Sequence, residues 1–210
     1  CLYVTNQPVF QPSLLQSRFV PHLKSLGFRC SGEDPFGTLN ITDIDSRLRF
    51  LKVDASVDLL PIVAQLDSIK SLIVTGVWST TLRKVLEQLP QLERLSLGRT
   101  FITATTDGIK AMEEYIETFL PLQGLTHLGG LFSNMDYQSP LGEDIIRMVS
   151  VLPSLRYVEV WNTDVGRSTW LTIRRNSAGE YDGIEVIKDI RNVMTSNWSG
   201  FFRGFVKVSE

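Results

Sequence analysis

One short pattern recurs along this chain, and it limits what the chain can fold into more than any other feature. In the frame LxxLxL, with aliphatic or aromatic residues accepted at the apolar positions, Leu23, Leu26 and Phe28 fit in "HLKSLGFRC" and Leu48, Leu51 and Val53 in "RLRFLKVDA". The frame returns with Ile69, Leu72 and Val74 in "SIKSLIVTG", with Leu92, Leu95 and Leu97 in "QLERLSLGR", and with Leu155, Val158 and Val160 in "LPSLRYVEVW". A looser copy, "GLTHLGGLF", supplies Leu125 and Leu128 but meets Gly130 at the third apolar position. Successive first positions are 25, 21, 23, 33 and 30 residues apart. Two of the three apolar positions alternate on one face of a short strand, and the first enters from the preceding turn. A single strand cannot bury that face, so neighbouring copies must stack.

Between the copies the hydrophobic period changes to that of a helix. Leu82, Val85, Leu86 and Leu89 follow the capping candidates Thr80 and Thr81. Ile109, Met112, Ile116, Phe119 and Leu120 follow Asp107, and Ile145, Val149 and Leu152 follow Gly142. Pro61 is compatible with a helix that begins close by and is capped by Asp58. Pro90, Pro121 and Pro153 each stand near a helix end, where proline prevents the helix from continuing and releases the chain into the next strand. These features predict an α/β fold of the leucine-rich-repeat solenoid kind: irregular strand-helix repeats, a curved parallel sheet and a C-terminal β-hairpin cap. A doubly wound α/β sheet also alternates strand and helix, but has no reason to reuse the frame.

The ends read differently. In "CLYVTN", Leu2 and Val4 fit the second and third apolar positions, so the chain is expected to begin inside a repeat and to be a piece of a longer protein. After Trp161, "WLTIRR", the turn-rich "NSAGEYDG" and "IEVI" read as a hairpin with Gly179 and Gly183 in its loop. Residues 1–165 are therefore assigned to repeats, and 166–210 to the hairpin and a tail whose Trp198, Phe201, Phe202 and Phe205 favour packing back on the domain. Such a tail has the means to cover Tyr157 and Trp161.

Irregular LxxLxL repeats with proline-marked exits, then "LPSLRYVEV" running into "WLTIRRNSAGEYDGIEVI", resemble the carboxy-terminal repeat region of F-box proteins from filamentous, especially mushroom-forming, fungi. The resemblance covers most of the chain. It implies a substrate receptor of a cullin-based ubiquitin ligase, whose repeats hold the protein substrate while an F-box docks the ligase adaptor. The 210 residues contain no F-box pattern, so this role requires one upstream of Cys1. A repeat scaffold of another regulator, resembling GTPase-activating or ribonuclease-inhibitor types, shares the same architecture.

Motifs for catalysis are missing from the sequence. Neither GxGxxG nor GxxxxGK[ST] occurs, and GxSxG is absent as well. His22 and His127 occupy equivalent approaches to strands, without further ligands at metal-binding spacing. Glu113, Glu114 and Glu117 share one helix and read as a solvated face; of Arg174 and Arg175, one is expected in solvent and the other against Glu180 or Asp182. No catalytic residue, cofactor or metal is expected. The remaining enzyme reading would place an unfamiliar site with His127 and acidic residues at strand ends of a doubly wound sheet.

Composition narrows the class further. With 21 basic and 23 acidic residues the net charge is −2, which offers no positive field for nucleic acid. No apolar run approaches the roughly 20 residues of a membrane span, and the first residues lack the order of a signal peptide. Cys1 and Cys30 make no disulfide framework, and the acceptor patterns at Asn40 and Asn197 stand without other signs of secretion. An intracellular protein, cytoplasmic or nuclear, is expected. Its partner would meet the residues interleaved with the apolar ones, which stacking aligns on a concave face. The binding candidates are Arg29, Phe50, Lys52, Ile73, Arg94, His127, Tyr157, Glu159 and Trp161, aromatic and arginine side chains being those most enriched at binding hot spots.

Overall fold

A computed structural model of the chain describes residues 2–4, 25–29, 48–54, 60–63, 68–75, 79–97, 108–132, 141–162 and 167–187. The fold is α/β. Among the described residues nine strands form one sheet in which spatial order equals chain order. The strands are β1 (Leu2–Val4), β2 (Ser25–Arg29), β3 (Phe50–Asp54), β4 (Ser71–Thr75), β5 (Arg94–Leu97), β6 (His127–Phe132), β7 (Tyr157–Asn162), β8 (Arg167–Arg175) and β9 (Tyr181–Val186). β1 to β7 are parallel, and β8 and β9 join antiparallel. The described helices are α1 (Leu60–Val63), α2 (Ser79–Glu87), α3 (Gly108–Phe119) and α4 (Leu141–Val151). Among the described residues no helix is long and apolar enough to cross a membrane.

The recurring frame sets the register. Leu2, Leu26, Leu51, Leu72, Leu95, Leu128 and Val158 pair in succession across seven strands, and Val4, Phe28, Val53, Val74 and Leu97 form the next row. A one-residue slip between two strands would turn aliphatic side chains to the other face, so burial fixes this alignment. The first positions of the frame, Leu48, Ile69, Leu92, Leu125 and Leu155, are all 0% exposed. They sit in the turn before each strand and pack with the inward strand residues and with one face of each helix: Leu82, Val85 and Leu86 of α2, Met112 and Phe119 of α3, and Ile145, Met148 and Val149 of α4. At about 2 kcal/mol for each fully buried aliphatic side chain, this layer is the main source of stability.

Strand entry has its own ladder. The carbonyl of Arg49 accepts from the N–H groups of both Lys70 and Ser71, that of Lys70 from Glu93 and Arg94, that of Glu93 from Thr126 and His127, and that of Thr126 from Arg156 and Tyr157. Each turn is thereby tied to the next before its strand begins. Pro90, Pro121 and Pro153 follow α2, α3 and α4 within three residues, where each helix must stop. The exposed edges of the helices are joined by Arg83 to Glu117 at 3.8 Å and by Arg147 to Glu113 at 3.2 Å. Glu113, Glu114 and Glu117 are exposed.

The looser copy differs from the frame in a specific way. Gly130 does not stand at the third apolar position; that place, opposite Val160, is taken by Phe132, and the register between β6 and β7 shifts between Leu128 and Phe132. The extra residues bulge the strand. Gly130 has φ +81, and a Cβ there would fall onto the carbonyl group of Leu97, so no other residue fits without displacing β5. Leu131 and Phe132 are buried in the helix-side core at 0% and 1% exposure.

In the antiparallel pair, Asn176 shapes the turn. Its Oδ1 accepts from the N–H groups of Ala178 and Glu180, and Gly179 follows with φ +84. Arg175 corrects the sequence expectation: it pairs with carbonyls, not with Glu180 or Asp182. Nη1 donates to Gly179 and Nη2 to Val149 and Leu152, so the guanidinium satisfies the carbonyl end of α4. Arg174 is the exposed member and lies across Gly183.

Candidate functional site

The face of the sheet opposite the helices collects the residues that interleave with the apolar frame. Backbone pairing puts Ser25, Phe50, Ser71, Arg94, His127 and Tyr157 in one row, continued by Thr172 and Glu185. The adjacent row runs through Gly27, Lys52, Ile73, Ser96 and Gly129. Four binding candidates, Phe50, Arg94, His127 and Tyr157, therefore share a row, with Lys52 and Ile73 in the next. Glu159 pairs with Trp170 across β7 and β8. Arg29 pairs with Asp54 and Trp161 with Ser168, which places their backbones; their side chains, like His22 and the tail's aromatics, lie outside the described residues.

Two candidates are not displayed as expected. Phe50 is 7% exposed and His127 8%. Phe50 and Trp170, itself 4% exposed, belong to a second apolar cluster against which Ile73, Tyr157 and Ile187 pack. This cluster is separate from the helix-side core, so the sheet buries apolar surface on both faces. Lys52, Ile73, Arg94, Tyr157 and Glu159 remain partly exposed.

His127 lies among aromatic rings. Its centroid is 4.6 Å from that of Tyr157, with 30° between the planes, and 6.4 Å from the edge-on ring of Trp170. Its Nδ1 is 2.7 Å from the hydroxyl of Thr126, which also reaches the carbonyl oxygen of Glu93 at 2.9 Å. Since the hydroxyl donates to only one acceptor at a time, this contact ties the imidazole tautomer to the Thr126 proton. Burial, then the charges of Arg94 and of Arg156, push the His127 pKa down to about 3. Arg94 is half-buried, and its pKa is lowered by that burial despite the charge of Glu93.

Glu159 is held by the bulge. One carboxylate oxygen accepts from the Gly130 N–H at 3.0 Å, and a Cβ on Gly129 would meet Glu159, Ser96 and the Trp170 ring within 3.3 Å. Two glycines thus make room for a carboxylate and an indole on a surface that would otherwise carry side chains of β6. Among the described residues no three His, Cys, Asp or Glu side chains gather as a possible metal group. The arrangement suits recognition: a guanidinium, an ammonium, a carboxylate and a phenol, all partly exposed, held around a rigid aromatic base.

Trp170 was not among the binding candidates expected from sequence, and Gly130 was expected only as a gap in the apolar frame. Trp170 had a signal available, since it alternates with Leu171 and Ile173 on β8 and so falls on the opposite face from them. Compared with known proteins, the chain matches no protein-family model and no curated protein sequence.

Proposed function

We propose that this chain is a non-catalytic protein-interaction domain: a leucine-rich-repeat solenoid with a C-terminal hairpin cap, serving as the substrate-recognition repeats of an F-box subunit of a cullin-based ubiquitin ligase. The observation that carries the reading is that the second apolar position of the LxxLxL frame stays paired from β1 to β7 in chain order, the bulge in β6 notwithstanding. A doubly wound sheet reverses strand order at a switch point, and among the described strands there is no reversal. Repeats stacked in this way present their interleaved residues as one continuous surface, the architecture's usual binding face. The ligase role rests on the family resemblance and on an F-box upstream of residue 1. An intracellular location follows from that role.

The protein substrate would meet Lys52, Ile73, Arg94, Tyr157 and Glu159 on the concave face. Capture with the complete gene product and with residues 1–210 alone tests both parts. A cullin adaptor recovered only by the complete product is the expected result, together with a further partner lost when Ile73→Glu and Arg94→Glu are combined. Absence of the adaptor from both captures would remove the ligase assignment. A partner set unchanged by the double variant would remove the surface.

A further inference from the structure

Where the last two parallel strands meet β8, the strand-entry end of the sheet holds a cavity of about 460 Å³. Topology builds it. Thr126 and Arg156 immediately precede β6 and β7, Ser154 comes from the turn between α4 and β7, and Thr172 and Arg175 return to the same end because β8 runs antiparallel. The volume lies in the range of pockets that enclose small organic molecules. Among the described residues no acidic side chain lines it.

Both arginines bring charge that no carboxylate among the described residues compensates. Arg156 is exposed, and among the described residues its guanidinium has no carboxylate partner. Arg175 is fixed by the carbonyls of Val149, Leu152 and Gly179 at 3.0–3.1 Å, and its Nε is buried without a hydrogen-bond partner. Carbonyl dipoles orient a guanidinium without neutralising it. The positive field reaches His127, whose depressed pKa owes part of its shift to Arg156. Beside the two cations stand the hydroxyls of Ser154 and Thr172, the Thr126 proton being engaged by Glu93 or His127; two guanidiniums and two hydroxyls suit a phosphoryl group, with three acceptor oxygens and nearly two charges, better than a carboxylate with one. A free phosphate would leave most of the volume empty of ligand, whereas Tyr157 and Ile173 offer apolar wall for an attached group.

We propose that this cavity binds a phosphate monoester of a small organic molecule, with Arg156 and Arg175 opposite the phosphoryl group and Tyr157 beside its carrier. The site adjoins the concave-face partner surface and shares Tyr157 with it, but Arg156 and Arg175 are not part of that surface. Calorimetric titration of the 210-residue chain with phenyl phosphate, inorganic phosphate and benzoate tests the proposal, using Arg156→Glu and, as a surface control, Arg83→Gln. Arg156 is chosen because it makes no structural contact of the kind Arg175 makes with α4, and thermal unfolding of each variant checks that the fold is kept. Phenyl phosphate is expected to bind wild type and Arg83→Gln alike, and Arg156→Glu at least about tenfold more weakly. Inorganic phosphate and benzoate are expected to bind more weakly than phenyl phosphate. No heat from phenyl phosphate at about 10 mM, a ligand concentration that would register even millimolar affinity, would overturn the proposal. So would equal binding by Arg156→Glu, or a tighter response to benzoate or inorganic phosphate.

Discussion

On the helix side of the sheet, Leu72, Leu95, Leu128 and Val158 form a row of aliphatic side chains, none more than 1% exposed. One residue earlier in each strand, Ser71, Arg94, His127 and Tyr157 set a hydroxyl, a guanidinium, an imidazole and a phenol side by side. The same backbone carries both rows, so the difference lies in what each asks of its residues. The aliphatic row needs volume and apolarity, which many sequences satisfy. The face that carries the mixed row needs particular partners: Thr126 for His127, Gly130 for Glu159, and Trp170 for the ring of His127. One face supplies stability through a repeated rule, and the other holds an individual arrangement that the rule merely positions.

The largest expected effect comes from the point where the two faces depend on each other. Gly130→Ala would drive a methyl group into the Leu97 carbonyl and dislodge the bulge that holds Glu159. A loss of about 4 kcal/mol or more in urea unfolding is expected; a near-neutral change would mean that the bulge is not rigid.

Adjacent substitutions on β5 compare the faces directly. Leu95→Ala empties a buried helix-side position and should cost about 3 kcal/mol, whereas Ser96→Ala, one residue on and facing the other way, should cost less than about 1 kcal/mol. Equal losses in denaturant midpoints would erase the distinction drawn between the rows.

His127 gives the mixed face a pH signature. Its pKa is about 3 in the folded protein and near 6.5 when unfolded. Between these values the unfolded chain binds more protons, so its contribution to stability is intact above pH 6.5 and is lost as pH falls towards 3. The slope is at most about 1.4 kcal/mol per pH unit. Chemical unfolding at pH 7, 5.5 and 4.5 should show a steeper acid loss for wild type than for His127→Gln; parallel profiles would mean that the imidazole is not held neutral.

The smallest effect is expected outside both faces. Glu113→Gln removes a solvent-exposed ion pair to Arg147 and should change stability by less than about 0.5 kcal/mol in the same assay.

The helix-side face was legible in the sequence because its rule is periodic: each leucine declares its role through the spacing of its neighbours. The α/β class, the strand positions and the helix exits at Pro90, Pro121 and Pro153 all follow from that spacing. Gly130 was misplaced because a bulge breaks the period without announcing where the count resumes, and Phe132, two residues later, takes the apolar place. Phe50 was expected on display because nothing within its own repeat buries it; the cluster it joins includes Trp170, 120 positions away in the chain. One of Arg174 and Arg175 was expected to pair with Glu180 or Asp182 because sequence distance favours them, whereas for Arg175 the end of α4 offered carbonyls from residues more than twenty positions earlier.

The order of the strands has a mechanical consequence. Among the described residues every strand is hydrogen bonded to its neighbours in the chain and to no other strand. Tension applied at one end would reach the strands in sequence, each yielding its own ladder before the next is loaded. Such a sheet should peel as a zipper does, with a sawtooth of small ruptures in place of one cooperative break, and recoil from whatever part remains paired.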